Sequence, residues 1–217
     1  MNNKLWISAL TTVGAAAGYL AFVRPRLMNL GATDEEIRRR MLGDQLIDAP
    51  TYVTTRAITI DTSADNIWPW LAQMGEHRGG LYSWEFLDRL LGRKFHSPHR
   101  ILPRYQNLDV GDELDRDGHI VVHAIEPGEA VVLGPANNFE DIDARWTLQL
   151  VETSETTTRL VSRVCAKFDL TSPRALVALA LADPLQLLFE RKFLREIKEH
   201  AEGHAKQWPP ETPITIH

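Results

Sequence analysis

The 217 residues contain a single cysteine, Cys165. One thiol excludes an intramolecular disulfide and any cysteine-rich metal site. Positive charge is not in excess either, because 24 Lys and Arg against 29 Asp and Glu leave a formal net charge of −5. Phosphate binding normally shows as a basic stripe, so we expect no nucleic-acid partner. Any chemistry must come from other residue types.

Two catalytic signatures are also missing. Gly79-Gly80 does not have the spacing of a phosphate-binding loop, and Ser83 does not lie in a Gly-x-Ser-x-Gly elbow. His96 and His99 offer imidazole nitrogens, but the proline between them favours a loop, and neither a cysteine nor a clear carboxylate partner is nearby. We therefore expect no metal and no cofactor.

The sequence does contain an uncharged apolar run, Leu5–Val23, about as long as the ~20 residues that cross a bilayer as a helix. Arg24 and Arg26 follow the run and outweigh Lys4 before it. The positive-inside rule therefore predicts a single-pass membrane anchor with the globular part in the cytoplasm. A cleaved signal peptide is the alternative, because the alanines within the run suit a peptidase.

The anchor sets the domain division that we predict. Residues 1–30 form the anchor with its flanks, 31–50 a short helix and linker, 51–206 a ligand-binding domain, and 207–217 an irregular tail. Within the anchor, Gly14 and Gly18 have the spacing that lets two membrane helices approach closely. A homodimer through these glycines is therefore one expectation.

Helix and strand signals follow in a regular order. Thr33-Asp-Glu-Glu36 is a capping box that predicts a short helix. Tyr52–Asp61 is rich in β-branched residues and predicts a strand. Ala64–Met74 shows the apolar periodicity of a helix, and a second short helix is expected over Trp84–Leu91, because Ser83 can cap it.

Short apolar runs separated by turn signals predict an antiparallel meander beyond Val110. The runs are His119–Ile125, Ala130–Leu133, Ala144–Val151 and Thr158–Phe168. In the last run, apolar residues alternate with Arg159, Arg163 and Lys167. One face of the sheet is therefore expected to be apolar and the other to face water.

The C-terminal segment can cover the apolar face. Ser172-Pro173 and Asp183-Pro184 are both cap-then-proline sequences, which predict two consecutive helices, Pro173–Ala182 and Pro184–His204. The longer helix is amphipathic and is expected to lie against the sheet. The shorter helix is apolar apart from Arg174, so it is either buried or lies on a membrane surface.

This order of elements resembles the helix-grip fold of the SRPBCC superfamily, the START-like and polyketide cyclase/dehydrase-like group. The resemblance covers about Thr51 to Glu202. The motifs that carry it are Ala57–Asp61 with Ile67–Leu71, Arg78–Ser83, His96-Ser97 with Arg100-Ile101, Leu108–Asp112 and Glu190–Leu194. Gly31–Glu35 is similar to members with an N-terminal membrane segment. The implied fold is α+β, a curved antiparallel sheet around a long C-terminal helix, preceded by a transmembrane helix.

The resemblance also implies an elongated cavity between the sheet and the long helix, suited to a lipid-, sterol- or polyketide-like molecule. The residues of this chain that would line it are Trp68, Leu71, Tyr82, Trp84, Leu87, Trp146, Leu148, Phe189 and Phe193. Core packing is the alternative for each of them. Arg78 and Arg100 are candidates for holding a carboxylate or phosphate group, or for pairing with neighbouring acids.

Two functions compete on this basis, with a purely structural membrane-associated module as a third. The first is a membrane-tethered domain that binds a hydrophobic small molecule without transforming it. The second is a cyclase- or dehydratase-like enzyme that uses His96, His99 or Tyr82 in the pocket, since histidine titrates near neutrality. Loop histidines without a catalytic partner are the plainer explanation. Cys165 has no activating base in the sequence pattern and is expected to be inert.

Overall fold

The computed structural model describes residues 18–76, 78–80, 100–115, 118–137 and 142–207 of the chain. Within these ranges lie the α-helices α1 (Arg24–Met28), α2 (Asp34–Arg38), α3 (Ala64–Ala72) and α4 (Pro173–Gln207). The strands are β1 (Tyr52–Ile60), β2 (Ile120–Glu126), β3 (Ala130–Pro135), β4 (Ile142–Ser154) and β5 (Thr157–Phe168). A π-helical turn (Tyr19–Val23) and two 3-10 turns (Asp44–Leu46, Pro103–Tyr105) complete the elements of the described ranges.

The strands form one five-stranded antiparallel sheet in the order β1-β5-β4-β3-β2. β4 and β5 pair along nearly their whole length, from Ile142 opposite Phe168 to Ser154 opposite Thr157. β1 forms one edge of the sheet and β2 the other. The predicted α+β class, with an antiparallel meander and a C-terminal helix, is confirmed, and the arrangement is consistent with a helix-grip fold.

One face of the sheet packs against α3 and the C-terminal half of α4. Leu148 and Leu160 of the sheet meet Leu71 of α3 and Ile197 of α4 in one apolar cluster, and all four side chains are fully buried. Burying an aliphatic side chain of this size contributes roughly 1.5–3 kcal/mol. The cluster therefore holds the helices to the sheet.

The opposite face was predicted to meet water, and for the centre of that face the prediction is wrong. Residues 31–47 cross it, and Met41 packs there against side chains of β1 and β5. Arg163 is buried under this segment and donates to the Arg39 carbonyl and to Asp44 Oδ2, both at 2.8 Å. A buried guanidinium needs acceptors for its five N–H groups. The covering segment accepts from Nη1 and Nη2 of Arg163, and Thr55 Oγ1 of β1 accepts from Nε at 3.0 Å.

The capping box at the start of α2 is confirmed. The Glu36 amide donates to Thr33 Oγ1 at 3.2 Å, and the Thr33 amide donates to Glu36 Oε2 at 2.7 Å. The same Glu36 carboxylate accepts from Arg159 Nε at 2.8 Å and Nη2 at 2.7 Å. The start of the short helix is thereby attached to β5.

A single helix replaces the two helices predicted as Pro173–Ala182 and Pro184–His204. α4 runs through Pro184 without ending. Proline removes one backbone donor and crowds the preceding turn, which kinks a helix but does not end one that packing holds on both sides. Ala175 is fully buried before the proline, and Ile197 is fully buried after it. The predicted start at Ser172-Pro173 is confirmed, whereas Asp183-Pro184 lies inside the helix and does not begin a second one.

Over the described ranges, no helix combines the length and the apolar character that a membrane span needs. Most of the predicted anchor, residues 5–17 with Gly14, lies outside those ranges. The last part of the anchor is described, and the chain is helical from Gly18 through Met28.

Candidate functional site

A cavity of about 100 Å³ lies between the N-terminal helical segment, β1 and the middle of α4. Its lining residues are Tyr19, Arg24, Leu27, Met28, Arg56, Asp183, Pro184 and Leu187. Helical spacing explains the arrangement on α4, because residues 183, 184 and 187 project from one side of the helix. Most of the wall is apolar, and the charged groups come from three different elements.

The ion pair between Arg24 and Asp183 closes one side of the cavity. Arg24 Nε lies 2.5 Å from Asp183 Oδ2, and Nη2 lies 3.4 Å from Oδ1. The two parallel contacts resemble the fork-to-fork geometry that makes arginine–carboxylate pairs directional. Both side chains are partly buried, so the pair connects the N-terminal helical segment to α4 while still meeting solvent. Asp183 thus binds the N-terminal segment and does not cap a second helix.

A second ion pair, between Arg56 and Glu190, lies in the interior at the cavity wall. Both side chains are buried, and the guanidinium also donates from Nε to the Leu27 carbonyl at 3.1 Å. Burial raises the pKa of the Glu190 carboxyl, while Arg56 and the Ser162 hydroxyl act in the opposite direction. An unpaired charge at this depth would cost several kcal/mol, on the order of 3–5. The pair therefore depends on both partners being present.

A chain of polar contacts continues from Glu190 across the sheet. The Ser162 hydroxyl donates to Glu190 Oε1 at 2.5 Å, and Trp146 Nε1 donates to Ser162 Oγ at 2.8 Å. The Trp146 ring also meets Phe189 and Phe193 edge-on, with ring centroids 5.6 and 4.9 Å apart. These contacts fix the orientation of three aromatic rings that were predicted to line the ligand cavity.

Tyr52 adds a polar group near the same site. Its hydroxyl is buried and lies close to the Asp183 carboxylate and the Arg56 guanidinium. Burial, followed by the nearby Asp183 carboxylate, raises the pKa of the Tyr52 hydroxyl above its ordinary value. The phenol therefore keeps its proton at neutral pH and is a hydrogen-bond donor rather than a base.

The predicted lining residues fall into three groups. Leu71, Leu148 and Phe193 are fully buried in the main apolar cluster, and Trp68 and Trp146 pack at its edge. Phe189 is half-buried, and Arg100 is exposed. Tyr82, Trp84, Leu87, His96 and His99 lie outside the described residues. The structure thus brings the α3, β4 and α4 members together, and their contact with a ligand stays a prediction.

The residues around the described cavity were not among the predicted lining. The sequence interpretation assigned the chain up to residue 30 to a membrane anchor and its flanks, so it placed Leu27 and Met28 outside the domain. One signal was available for Arg56. It alternates in step with Ile58 and Ile60, which places its side chain on the apolar face of β1.

Arg78 has a structural role in the described ranges. Its Nη2 donates to the carbonyls of Ala72, Tyr105 and Asn107 at 3.2, 3.0 and 2.9 Å, and Nη1 lies 3.5 Å from Asp112 Oδ2. These contacts join the end of α3 to the loop before β2. Its acidic partner is Asp112, which lies 34 residues further along the chain and is not a neighbouring acid in sequence.

The glycine pair after α3 forms a bend. Gly80 has φ of +81° and bridges to Gly75. A Cβ at Gly79 would lie 2.6 Å from Gln73 Cγ, so the chain passes too close to α3 for a larger residue. Tyr82, one of the predicted lining residues, follows this bend and lies outside the described residues.

Cys165 is a buried free thiol. Burial, with Asp44 beside it, raises the pKa of the Cys165 thiol to about 11. Its sulfur lies 3.8 Å from Asp44 Oδ1. Because the thiolate is the reactive form, the thiol is inert at neutral pH, as the sequence pattern predicts.

No protein-family model and no curated protein matches this chain. The di-domain ARO/CYC protein BexL of the BE-7585A biosynthetic pathway is 13% identical, with a TM-score of 0.41 over 70% of this chain and 47% of that chain. The di-domain ARO/CYC protein StfQ of the steffimycin pathway is 14% identical, with a TM-score of 0.44 over 71% and 51%. A START superfamily protein from Mycobacterium smegmatis is 11% identical, with a TM-score of 0.36 over 71% and 97%. The chain spans about half the length of the two di-domain proteins.

Proposed function

We propose that this chain is a membrane-tethered domain that binds a hydrophobic small molecule, lipid-, sterol- or polyketide-like, and releases it unchanged. The observation that carries the proposal is the cavity between the N-terminal helical segment and α4. Leu27, Met28, Pro184 and Leu187 supply apolar walls, and Arg24 and Arg56 supply cationic groups. Small-molecule sites are typically apolar with a few polar groups that fix the orientation of the ligand.

The size of the cavity limits what it can hold. It measures about 100 Å³, whereas sites for whole drug-sized ligands measure roughly 300–1,000 Å³. We therefore propose that it receives one end of an amphipathic ligand. The polar end of such a ligand would find the two guanidinium groups, and the apolar part would lie against the leucine and methionine side chains.

The charged groups around the cavity favour binding over chemistry. Arg24 is paired with Asp183, and Arg56 is paired with Glu190. The raised pKa of Tyr52 makes its hydroxyl a poor acid as well as a poor base. The enzyme alternative rests on His96, His99 and Tyr82, outside the described residues, and remains a separate prediction.

The tether is the second part of the proposal. The uncharged run Leu5–Val23 has the length of a membrane span, and Arg24 and Arg26 follow it on the predicted cytoplasmic side. A cytoplasmic domain at the end of a single-pass helix would stay beside ligands that partition into lipid. Close approach of two anchors at Gly14 and Gly18 would make the tethered protein a homodimer.

The test is recovery of a bound apolar molecule from the full-length protein. The protein is purified in detergent, extracted with organic solvent and analysed by mass spectrometry. Leu187→Trp fills the cavity, whereas Leu188→Trp changes the neighbouring exposed leucine and serves as the matched control. We expect ligand from the wild type and from Leu188→Trp, and little from Leu187→Trp.

Two results would overturn this proposal in different ways. Equal recovery from Leu187→Trp and Leu188→Trp would place the ligand elsewhere. Incubation of the loaded wild-type protein followed by recovery of a chemically altered molecule would favour the cyclase- or dehydratase-like enzyme.

A further inference from the structure

α4 exposes apolar side chains along one side of its N-terminal half. Val177, Leu185 and Leu188 are 61%, 60% and 64% exposed. At 3.6 residues per turn, Leu188 returns to within about 20° of the direction of Val177, and Leu185 lies within about 80° of it. Amphipathic helices of soluble domains bury such a stripe, so its exposure indicates a surface that meets something else.

A second group of exposed apolar side chains lies on the N-terminal helical segment that contacts α4. Tyr19, Phe22 and Val23 are exposed on the helical segment that precedes α1. The Arg24–Asp183 ion pair holds this segment against the middle of α4. The described end of the apolar run, Tyr19–Val23, therefore lies near the same stretch of α4 in which Leu185 and Leu188 are exposed.

Cationic residues flank both groups. Arg26 follows the N-terminal run, Arg174 precedes the α4 stripe, and Arg191 and Arg195 follow it, all four with exposed side chains. Apolar side chains bordered by arginine are characteristic of helices that lie in the interface of an anionic bilayer. The charge pattern thus matches a lipid surface.

We infer that the N-terminal half of α4 lies on the bilayer surface as a second membrane contact, with Val177, Leu185 and Leu188 in the boundary between head groups and acyl chains. This inference rests on the proposed tether, which brings the same edge of the domain to the membrane. Pro184 and Leu187 on the same helix line the cavity. The contact therefore places the cavity at the lipid surface, where an amphipathic ligand can enter from the membrane.

The inference is tested by labelling introduced cysteines with an environment-sensitive fluorophore. Val177→Cys and Leu188→Cys report on the stripe. Val110→Cys is the control, because Val110 is 62% exposed but lies next to β2, at the opposite edge of the sheet. The native Cys165 is buried, with its thiol pKa raised to about 11, so it takes up little label. The full-length variants are reconstituted into vesicles of phosphatidylcholine and phosphatidylglycerol.

We expect the emission of the labels at 177 and 188 to shift to shorter wavelength in vesicles and to be quenched by nitroxide-bearing lipids. The emission of the label at 110 should neither shift nor be quenched. Flotation of the same vesicles reports on the tether separately. If the protein floats with the vesicles but the labels at 177 and 188 emit as they do in water, the surface contact is contradicted and the tether is supported. Protein that does not float would overturn both. A shift that persists in detergent and grows with protein concentration would assign the stripe to a second copy of the chain instead.

Discussion

The two halves of α4 share one continuous helix but have different surroundings. Beyond Glu190, Phe193, Leu194 and Ile197 are buried in the core between the sheet and α3. Before Glu190, the helix borders the cavity and exposes Leu185 and Leu188. Among the described residues, the C-terminal half supplies most of the buried side chains of the helix. The N-terminal half buries Ala175 but exposes Leu185 and Leu188, and binding and membrane contact are proposed there. Residues of the same type therefore have different roles according to which half they occupy.

The largest expected difference between the halves is in the cost of truncating a side chain. Phe193→Ala should lower the free energy of unfolding by about 3–5 kcal/mol, because it removes a buried ring and leaves a cavity. Leu188→Ala should change it by less than about 0.5 kcal/mol, because the side chain is exposed. Denaturant titration of the full-length protein in detergent measures both. Similar losses for the two variants would contradict the division of the helix.

Glu190, at the boundary between the halves, gives the next largest effect. Glu190→Gln leaves the buried Arg56 without its counter-charge, and should lower stability by about 3 kcal/mol. The matched control is Glu196→Gln, six residues further along the helix. Its ion pair with Lys192 is partly exposed and worth less than about 1 kcal/mol. Equal stability of the two variants in the same titration would show that the buried pair is not required.

A smaller, pH-dependent effect is expected at Glu36, a carboxylate paired with arginine on the opposite face of the sheet. Burial opposes ionisation of this group, but hydrogen bonds from Arg159 and Thr33, together with the Arg159 charge, outweigh it. The pKa of Glu36 therefore lies below its ordinary value of 4.5. A lowered pKa stabilises the fold above the unfolded value and ceases to do so as the pH falls through the folded value.

Melting temperatures of the wild type and of Glu36→Gln should accordingly differ at pH 7 and converge as the pH falls below about 4.5. Glu190 has the opposite sign, because burial raises its pKa above the ordinary value although Arg56 and the Ser162 hydroxyl act against that shift. The stability that this shift contributes is present below the unfolded pKa and is lost as the pH rises through the folded one. A Glu36→Gln difference that is independent of pH would contradict the assigned pairing.

Regular patterns predicted much of this fold. Three patterns depend only on residues that are close together in sequence. They are the alternation along β5, the β-branched run of β1 and the capping box of α2. The prediction of which face of the sheet is buried was correct for the same reason. Contacts between distant segments were not predictable in this way.

Three features show where local patterns fail. α4 continues through Pro184, with Ala175 buried before the proline and Ile197 buried after it, which the sequence Asp183-Pro184 does not report. Arg163 is buried because residues 31–47 cover it, although its alternation suggests a solvated face. The cavity is built partly from Leu27 and Met28, which follow a run interpreted as an anchor. In each case a partner distant in sequence decides the surroundings of the residue.

The proposed function requires an apolar ligand in the cavity between the N-terminal helical segment and α4. Photo-cross-linking of the full-length protein in vesicles with a lipid-like alkyl diazirine, followed by peptide mass spectrometry, tests it most directly. The account predicts modification at Leu27, Met28 or Leu187, and its loss in Leu187→Trp. The contrary result is modification only at residues 5–17 and at the exposed Val177 and Leu188, to the same extent in Leu187→Trp. It would show that the protein contacts lipid but holds no ligand in the cavity, and it would contradict the proposed function.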